Sequence, residues 1–247
     1  MSIEETGIAI RSYLKTAFFS KNGIDIIVAT FVVCRIKITD RRWWPNDRMY
    51  CESCASVGLM MFGQRMAALT GDGKYYDIVE RALCNTVLGG ISAEGDRYFY
   101  VNPLEVWPDN CLPGTSMAHV KPIRQSWFGV ACCPSNIART LASVGQYIFA
   151  QDEKSIYINQ FLSASLETEI RGTRVMVDLQ SDLMRSGSIH LVIETNQPQS
   201  FTLRIRIPEY WKEPVFILEG KTIAPVVENG YAAAPASRQE TSPRKRH

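Results

Sequence analysis

The sequence predicts an α+β chain in which a helical part is followed by an antiparallel β-sandwich. Residues 52–69 and 74–88 carry apolar side chains largely at the three- and four-residue spacing of a helix that is buried on one face. After Ala150 the period changes, and short runs of alternating apolar and polar residues stand between turn signals. This change of period is the main observation that predicts two domains.

The two helical stretches are separated by Thr70-Gly71-Asp72-Gly73, whose glycines stop the first helix. They therefore predict an antiparallel helical hairpin, which is the repeating unit of α/α barrels and also of simple bundles. A third helix is predicted to open at Cys132, with Ser135 or Asn136 as its N-cap. Between the hairpin and this helix, residues 97–101 are typical of a strand.

Short alternating runs predict the strands of the sandwich. They cover residues 155–162, 174–179, 188–194 and 201–207. We therefore expect a helical domain at residues 1–150 and a β-sandwich at residues 151–231. The polar and basic residues that end the chain predict a disordered tail at residues 232–247.

Length, charge and cysteine content exclude several classes of protein. The chain has 247 residues and a formal charge of only +2, so nucleic acid is not a predicted partner. Its longest apolar run, residues 26–34, is far shorter than the ~20 residues of a membrane helix, and no secretory signal opens the chain. Membrane association is therefore not expected, and the odd number of seven cysteines predicts reduced thiols in the cytoplasm.

Two clusters of chemically active residues, Glu52-Ser53-Cys54 and Cys132-Cys133, each stand at the start of a predicted helix. Together they offer one carboxylate and three thiols, a donor set that tetrahedral Zn²⁺ accepts. Helix N-termini favour anionic ligands, because the backbone dipole is positive there. Adjacent cysteines are not a standard zinc-finger spacing, so buried and unreactive cysteines are the alternative interpretation.

Longer motifs bear on this choice. Residues 50–62 have the sequence YCESCASVGLMMF, residues 80–90 ERALCNTVLGG, and residues 131–139 ACCPSNIAR. Together with residues 99–105 and 124–128, these motifs resemble, in the correct order, glycoside hydrolase family 127, the β-L-arabinofuranosidase-like group. The resemblance covers about residues 45–215. It therefore implies that the helical domain at residues 1–150 is a partial catalytic domain whose residues 1–44 diverge from the family. It implies the C-terminal part of an (α/α)6 barrel followed by a β-sandwich.

The resemblance also implies a mechanism. Glu52, Cys54, Cys132 and Cys133 would surround a zinc ion, and Cys132 would be the catalytic nucleophile. The implied reaction is the retaining hydrolysis of β-L-arabinofuranosides through a thioglycosyl intermediate. The expected partner is a carbohydrate, an L-arabinofuranosyl glycan, and a homodimer is the assembly considered.

Three other residues are weighed against structural roles. His119, in the long loop before the cysteine pair, is the substrate-binding candidate, with a structural or exposed histidine as the alternative. Trp127 and Tyr100 could stack on a sugar ring, but aromatic side chains more often fill a core. Core packing is therefore the interpretation preferred for both.

The sequence departs from the family pattern at the acid/base position. The resemblance places the acid/base glutamate sixteen residues before Glu52, where this chain has Ile36. A retaining mechanism needs that second group, so a non-catalytic remnant with a structural zinc site is the alternative function. A redox protein using Cys132 and Cys133 is a third hypothesis. It is disfavoured because adjacent cysteines form a strained ring when oxidised.

Overall fold

The computed structural model describes residues 52–103, 106–107, 109, 119–218 and 220–236. The divergent segment 1–44, with Ile36, lies outside these residues, as do residues 237–247 of the predicted tail. The described chain has an α+β fold that divides into two compact units. Of the described residues, those from 52 to 70 and from 78 to 142 belong to the first unit, and those from 71 to 77 and from 143 to 236 belong to the second.

Three α-helices are found among the described residues: α1 (Ser53–Thr70), α2 (Lys74–Arg81) and α3 (Cys132–Ala142). Both helices of the predicted hairpin are confirmed, although the second changes to π-helical bonding over Ala82–Leu88. Periodicity does not foresee that change, because a π-turn alters the bonding partner and not the apolar character of the residues. None of the described helices is both long and apolar enough to cross a membrane.

The core of the first unit follows the predicted apolar stripe. Met60 and Met66 of α1 are fully buried, and so are Leu83 and Val87 of the π-helical segment. Helix α1 packs against both that segment and α3. Because these contacts fix α1 from several sides, they also fix the position of its first turn.

The strand predicted at residues 97–101 is wrong. This stretch forms only isolated bridges, of Tyr98 with Ile91 and Gln125 and of Val101 with Glu52. Tyr98 and Tyr100 both pack against the ring of Phe128, at centroid distances of 5.2 and 5.8 Å. The aromatic residues in this stretch therefore belong to a loop that buries the rings of Tyr98 and Tyr100. They do not belong to a strand that is paired along its length.

The second unit contains three sheets. The five-stranded sheet has the order β1-β2-β6-β10-β9, the three-stranded sheet the order β3-β4-β5, and the last sheet pairs β7 with β8. The strands are β1 Phe149–Gln151, β2 Ser155–Ile158, β3 Ala164–Ile170, β4 Thr173–Asp182, β5 Ser188–Thr195, β6 Phe201–Arg206, β7 Phe216–Leu218, β8 Lys221–Ile223, β9 Val226–Glu228 and β10 Tyr231–Ala236.

The two larger sheets share one apolar core, as in a sandwich. Ile156 and Ile158 of β2 lie in the same buried cluster as Val175, Val177 and Leu179 of β4. The predicted antiparallel pattern is wrong at one place, because β2 and β6 run parallel. Between β2 and β6 the chain forms the three strands β3, β4 and β5 of the other sheet. After this crossover β6 enters the first sheet in the same direction as β2.

The disordered tail predicted from residue 232 is wrong for residues 232–236. These residues belong to β10, which pairs with β6 along its whole length and with β9 at its start. The side chains of Ala232 and Ala234 are buried. Small apolar side chains at alternate positions of a strand can pack on one face of a sheet. The prediction missed this pattern because a run of alanines shows no alternation of apolar and polar residues.

A buried ion pair lies within the second unit. The guanidinium of Arg206 is fully buried and pairs with the carboxylate of Asp77, while its Nε donates to the Asn159 carbonyl at 2.6 Å. The Tyr231 hydroxyl donates to Asn159 Oδ1 at 2.7 Å. A buried charge is tolerated only when it is paired, so Asp77 is the residue that allows Arg206 to remain inside.

We expect Asp77→Asn to lower the free energy of unfolding by about 3 kcal/mol, because the buried guanidinium loses its counter-charge. Urea denaturation of the full chain measures this loss. The control is Glu228→Gln at the Arg204–Glu228 pair, where Glu228 is 62% exposed and the atoms are 3.5 Å apart. There we expect a loss below ~1 kcal/mol. Equal losses in the two variants would contradict a special role for burial.

Candidate metal centre

The two clusters singled out in the sequence occupy the starts of two helices of the first unit. Glu52 directly precedes α1 and Cys54 is the second residue of that helix, while Cys132 and Cys133 are the first two residues of α3. Glu52 also forms a β-bridge with Val101. The fold therefore brings the beginnings of two helices together.

Ser53 holds the start of α1 against the preceding loop. Its backbone N–H donates to the Tyr100 carbonyl at 3.0 Å, and its hydroxyl donates to the Phe99 carbonyl at 2.9 Å. Ser53 is completely buried. The serine between Glu52 and Cys54 therefore fixes the backbone from which both of these side chains extend.

The structure brings together all four residues that the resemblance implied as metal ligands. One donor atom from each of Glu52, Cys54, Cys132 and Cys133 lies within 4.8 Å of the others. The Cys54 and Cys133 sulfurs are 3.4 Å apart, and the Cys132 and Cys133 sulfurs 3.9 Å apart. Glu52 Oε1 lies 3.8 Å from the Cys132 sulfur and 3.9 Å from the Cys133 sulfur.

These separations fit a tetrahedral site for a divalent ion. Ligands at about 2.0–2.3 Å around one tetrahedral ion lie roughly 3.5–3.8 Å from one another. The four distances given above, 3.4 to 3.9 Å, are close to that range, and all pairs of donor atoms lie within 4.8 Å. A group of three sulfurs and one carboxylate oxygen could thus hold a metal ion.

Burial disfavours the thiolate forms of Cys54 and Cys133 in the absence of a nearby positive charge. It raises the pKa of Cys54 to about 11, although the amide of Asn136 opposes this effect by donating to the sulfur. Burial also raises the pKa of Cys133, and the neighbouring Cys54 adds to the effect. Both groups are therefore neutral thiols at pH 7, and a bound dication would reverse the balance by stabilising their thiolates.

Tyr100 and Asn136 contact the sulfurs, and the sequence did not assign either of them to the centre. The Tyr100 hydroxyl lies 3.6 Å from the Cys132 sulfur, and the Asn136 amide donates to the Cys54 sulfur at 3.1 Å. The prediction of Asn136 or Ser135 as an N-cap is wrong, because α3 already begins at Cys132. The sequence did contain a signal that could have placed Asn136 at the centre, because Asn136 lies one helical turn after Cys132 and on the same helix face.

The other candidate residues have distinct positions. The His119 ring packs edge-on against the ring of Tyr100, with centroids 4.4 Å apart, and the Tyr100 hydroxyl in turn lies near the Cys132 sulfur. Tyr100 is buried, as the packing interpretation expects, but Trp127 is 57% exposed and does not fill a core. Cys84 is exposed and is not among the four clustered residues.

Comparison with protein families identifies two consecutive domains. The model described as "Beta-L-arabinofuranosidase, GH127 catalytic domain" matches residues 37–146. The model described as "Beta-L-arabinofuranosidase, GH127 middle domain" matches residues 155–240. The metal-centre residues lie in the match to the catalytic domain, and the described strands from β2 to β10 lie in the match to the middle domain.

Individual relatives agree with these matches. A non-reducing end β-L-arabinofuranosidase of Bifidobacterium longum is 36% identical over 194 residues, which cover 76% of this chain. The crystal structure of a GH127 β-L-arabinofuranosidase from Geobacillus stearothermophilus T6 is 38% identical over 79% of the chain, with a TM-score of 0.74. A GH127 β-arabinofuranosidase structure is 30% identical over 78% of the chain, with a TM-score of 0.68.

This chain spans only 29% of the length of the Bifidobacterium enzyme and 31% of each of the two solved chains. Its matches nevertheless lie in two consecutive domains of a single family, and the three relatives are 36%, 38% and 30% identical to it. The family predicted from the motifs is therefore confirmed. The chain belongs to glycoside hydrolase family 127, the β-L-arabinofuranosidase family, and carries sequence of both its catalytic and its middle domain.

Proposed function

We propose that this chain is the metal-binding portion of a retaining β-L-arabinofuranosidase. In this proposal Glu52, Cys54, Cys132 and Cys133 bind Zn²⁺, and Cys132 is the nucleophile. The observation that carries the proposal is the convergence of one carboxylate and three sulfurs within 4.8 Å. The names of the relatives, which are β-L-arabinofuranosidases, support the substrate class.

The donor set favours zinc among the common divalent ions. Thiolate sulfur is a soft ligand that suits Zn²⁺, whereas Mg²⁺ and Ca²⁺ prefer oxygen. When bound, the ion would supply the positive charge that keeps the cysteine sulfurs deprotonated at neutral pH. The α-helical N-termini contribute a smaller charge of the same sign.

The proposed role of Cys132 as the nucleophile is supported by its accessibility among the three cysteines. Cys133 is completely buried, and the half-buried Cys54 sulfur accepts a hydrogen bond from Asn136, whereas Cys132 is exposed. A sulfur that attacks a sugar must be reachable from solvent. The Tyr100 hydroxyl and Glu52 Oε1 lie 3.6 and 3.8 Å from the Cys132 sulfur.

The proposed reaction has two displacement steps. The Cys132 sulfur attacks the anomeric carbon of the arabinofuranosyl group and forms a C–S bond, while the glycosidic C–O bond breaks and its electron pair leaves with the departing oxygen. Water then displaces the sulfur, so the configuration at the anomeric carbon is retained. A separate acid/base group must protonate the departing oxygen and later deprotonate the water.

The rest of the predicted site and fold is part of the same proposal. We infer that α1, α2 and α3 belong to the (α/α)6 barrel of a catalytic domain. His119 is proposed to contact the sugar, because its ring packs on Tyr100, which itself contacts Cys132. The partner is an L-arabinofuranosyl glycan.

A second candidate function is a non-catalytic protein with a structural zinc site. It is favoured by Ile36, which stands where the family pattern calls for the acid/base glutamate. In that case the ion would only hold the starts of α1 and α3 together. The two candidates predict the same metal content but different chemistry.

We expect the purified full chain to contain one equivalent of zinc under reducing conditions, as measured by atomic emission. We also expect it to release the phenol from an aryl β-L-arabinofuranoside whose phenol is acidic, because that step needs no protonation of the departing oxygen. Zinc without release of the phenol would favour the structural candidate. Absence of stoichiometric zinc after loading with Zn²⁺ would contradict both candidates.

A further inference from the structure

Asn136 and Arg139 form a relay of hydrogen bonds that ends at the metal centre. The Arg139 Nη2 donates to Asn136 Oδ1 at 2.6 Å, and Asn136 Nδ2 donates to the Cys54 sulfur at 3.1 Å. Both residues lie on α3, three positions apart, so their side chains meet on one helix face. The relay therefore connects the helix that carries Cys132 and Cys133 to a sulfur of α1.

Arg139 determines which end of the Asn136 amide faces the sulfur. A guanidinium only donates hydrogen bonds, so the amide oxygen, the group that accepts, must point to Arg139. The amide nitrogen is then directed at Cys54, where it can only donate. The Cys54 sulfur therefore accepts a hydrogen bond from the amide N–H through one of its lone pairs. A cysteine sulfur also binds a metal through its lone pairs, as a thiolate.

We propose that Asn136, oriented by Arg139, is a positioning residue that holds the Cys54 sulfur in its metal-binding orientation. This inference rests on the proposed function, since it requires that the four clustered residues bind an ion. Neither residue contacts the ion or the sugar in the proposal. Partners of this kind typically change metal affinity by about 10–100-fold, because they fix the direction of a ligand.

The test compares metal binding by the full-length chain and its variants. Asn136→Asp keeps the size of the side chain but replaces the donor that faces Cys54 with an acceptor. Asn136→Ala removes the donor without adding charge. We expect both variants to lose about 10–100-fold in Zn²⁺ affinity, measured by competition with a chromogenic chelator. We expect Arg139→Ala to lose less, because the unrestrained amide can still reach the sulfur.

A spectroscopic readout separates this role from general destabilisation. With Co²⁺ in place of Zn²⁺, the thiolate-to-cobalt charge-transfer bands report the electron density on sulfur. We expect these bands to shift in both Asn136 variants, because the Cys54 sulfur loses a hydrogen bond. The matched control is Asn196→Asp in the second unit, where the side-chain oxygen accepts from the Arg174 N–H at 3.1 Å and an aspartate can still accept.

Each outcome decides the inference. Reduced affinity and shifted bands in both Asn136 variants, with Asn196→Asp unchanged, would support it. Wild-type affinity in Asn136→Ala would overturn it, even if Asn136→Asp is weakened, because added charge would then explain the loss. Unshifted bands would also overturn it. If the wild-type chain binds neither metal, the proposed function itself fails, and this result is distinct from a failure of the relay.

Discussion

Replacing Cys132 with serine is expected to abolish the formation of a covalent glycosyl adduct on this chain. The wild-type chain, loaded with zinc and mixed with an aryl β-L-arabinofuranoside that releases an acidic phenol, should release the phenol in a burst. Such a leaving group departs without a proton, so this step does not depend on an acid/base residue. Mass spectrometry should then find one pentosyl group on the peptide that contains Cys132.

The physical reason for a complete loss is the identity of the attacking atom. A serine hydroxyl remains protonated at neutral pH and is a weak nucleophile without an adjacent base, whereas a cysteine sulfur is strongly nucleophilic. Because Cys132 is the exposed sulfur of the centre, we expect neither the buried Cys133 nor the half-buried Cys54 to replace it as the nucleophile.

The matched control for this experiment is Cys84→Ser, which changes an exposed cysteine of the π-helical segment. We expect this variant to form the adduct at the wild-type rate. An adduct that persists in Cys132→Ser, or one that maps to another residue, would refute Cys132 as the nucleophile. If the wild-type chain binds zinc but forms no adduct, the structural candidate would be the better description.

Replacing Cys133 with alanine is expected to remove the metal and the stability that it confers. Cys133 is completely buried, and its sulfur lies 3.4 Å from the Cys54 sulfur and 3.9 Å from Glu52 Oε1. We expect the loss of one of four ligands to remove roughly a quarter of the binding free energy of a structural zinc site. This loss corresponds to zinc binding that is weaker on the order of 10³-fold. The change leaves only a small cavity, since a single sulfur atom is removed.

Calorimetry of the wild-type, Cys133→Ala and Cys84→Ala chains, each with and without a chelator, measures the consequence for stability. Zinc at a hundredfold excess over its dissociation constant stabilises a folded protein by ~2.7 kcal/mol, which should raise the Tm of the wild-type chain by several degrees. In Cys133→Ala that increase should vanish, and in Cys84→Ala it should remain. A Tm that responds equally to zinc in all three proteins would show that the metal binds elsewhere.

Predictions from the sequence succeeded where a short stretch of chain specifies its own structure. The extent of α1 follows from its apolar spacing and from the stop at Gly71, whose φ of +67° suits glycine. The long strand β4 follows from strict alternation, which the structure reproduces as alternating burial. The family was also recognisable, because its motifs are contiguous.

Predictions failed where the outcome depends on distant residues. Strand β3 was missed because its exposed face carries Glu167 and Glu169, so its alternation resembles a polar loop until β4 is seen beside it. The buried pair of Asp77 and Arg206 joins residues 129 positions apart. An aspartate or an arginine is not predicted to be buried from its residue type. Each is stable in the protein interior only when it is paired with the other.

For the candidate site, the sequence by itself determined which residues carry suitable donor atoms and, through the family motifs, which four of them belong together. Tertiary structure alone decided that these atoms converge, that Cys132 is exposed while Cys133 is buried, and that Asn136 faces Cys54 across 82 positions of the chain. The physical reason is that donor chemistry is a property of each residue. Distance and burial depend instead on how α1 and α3 pack, and that packing is fixed by contacts between segments far apart in the chain.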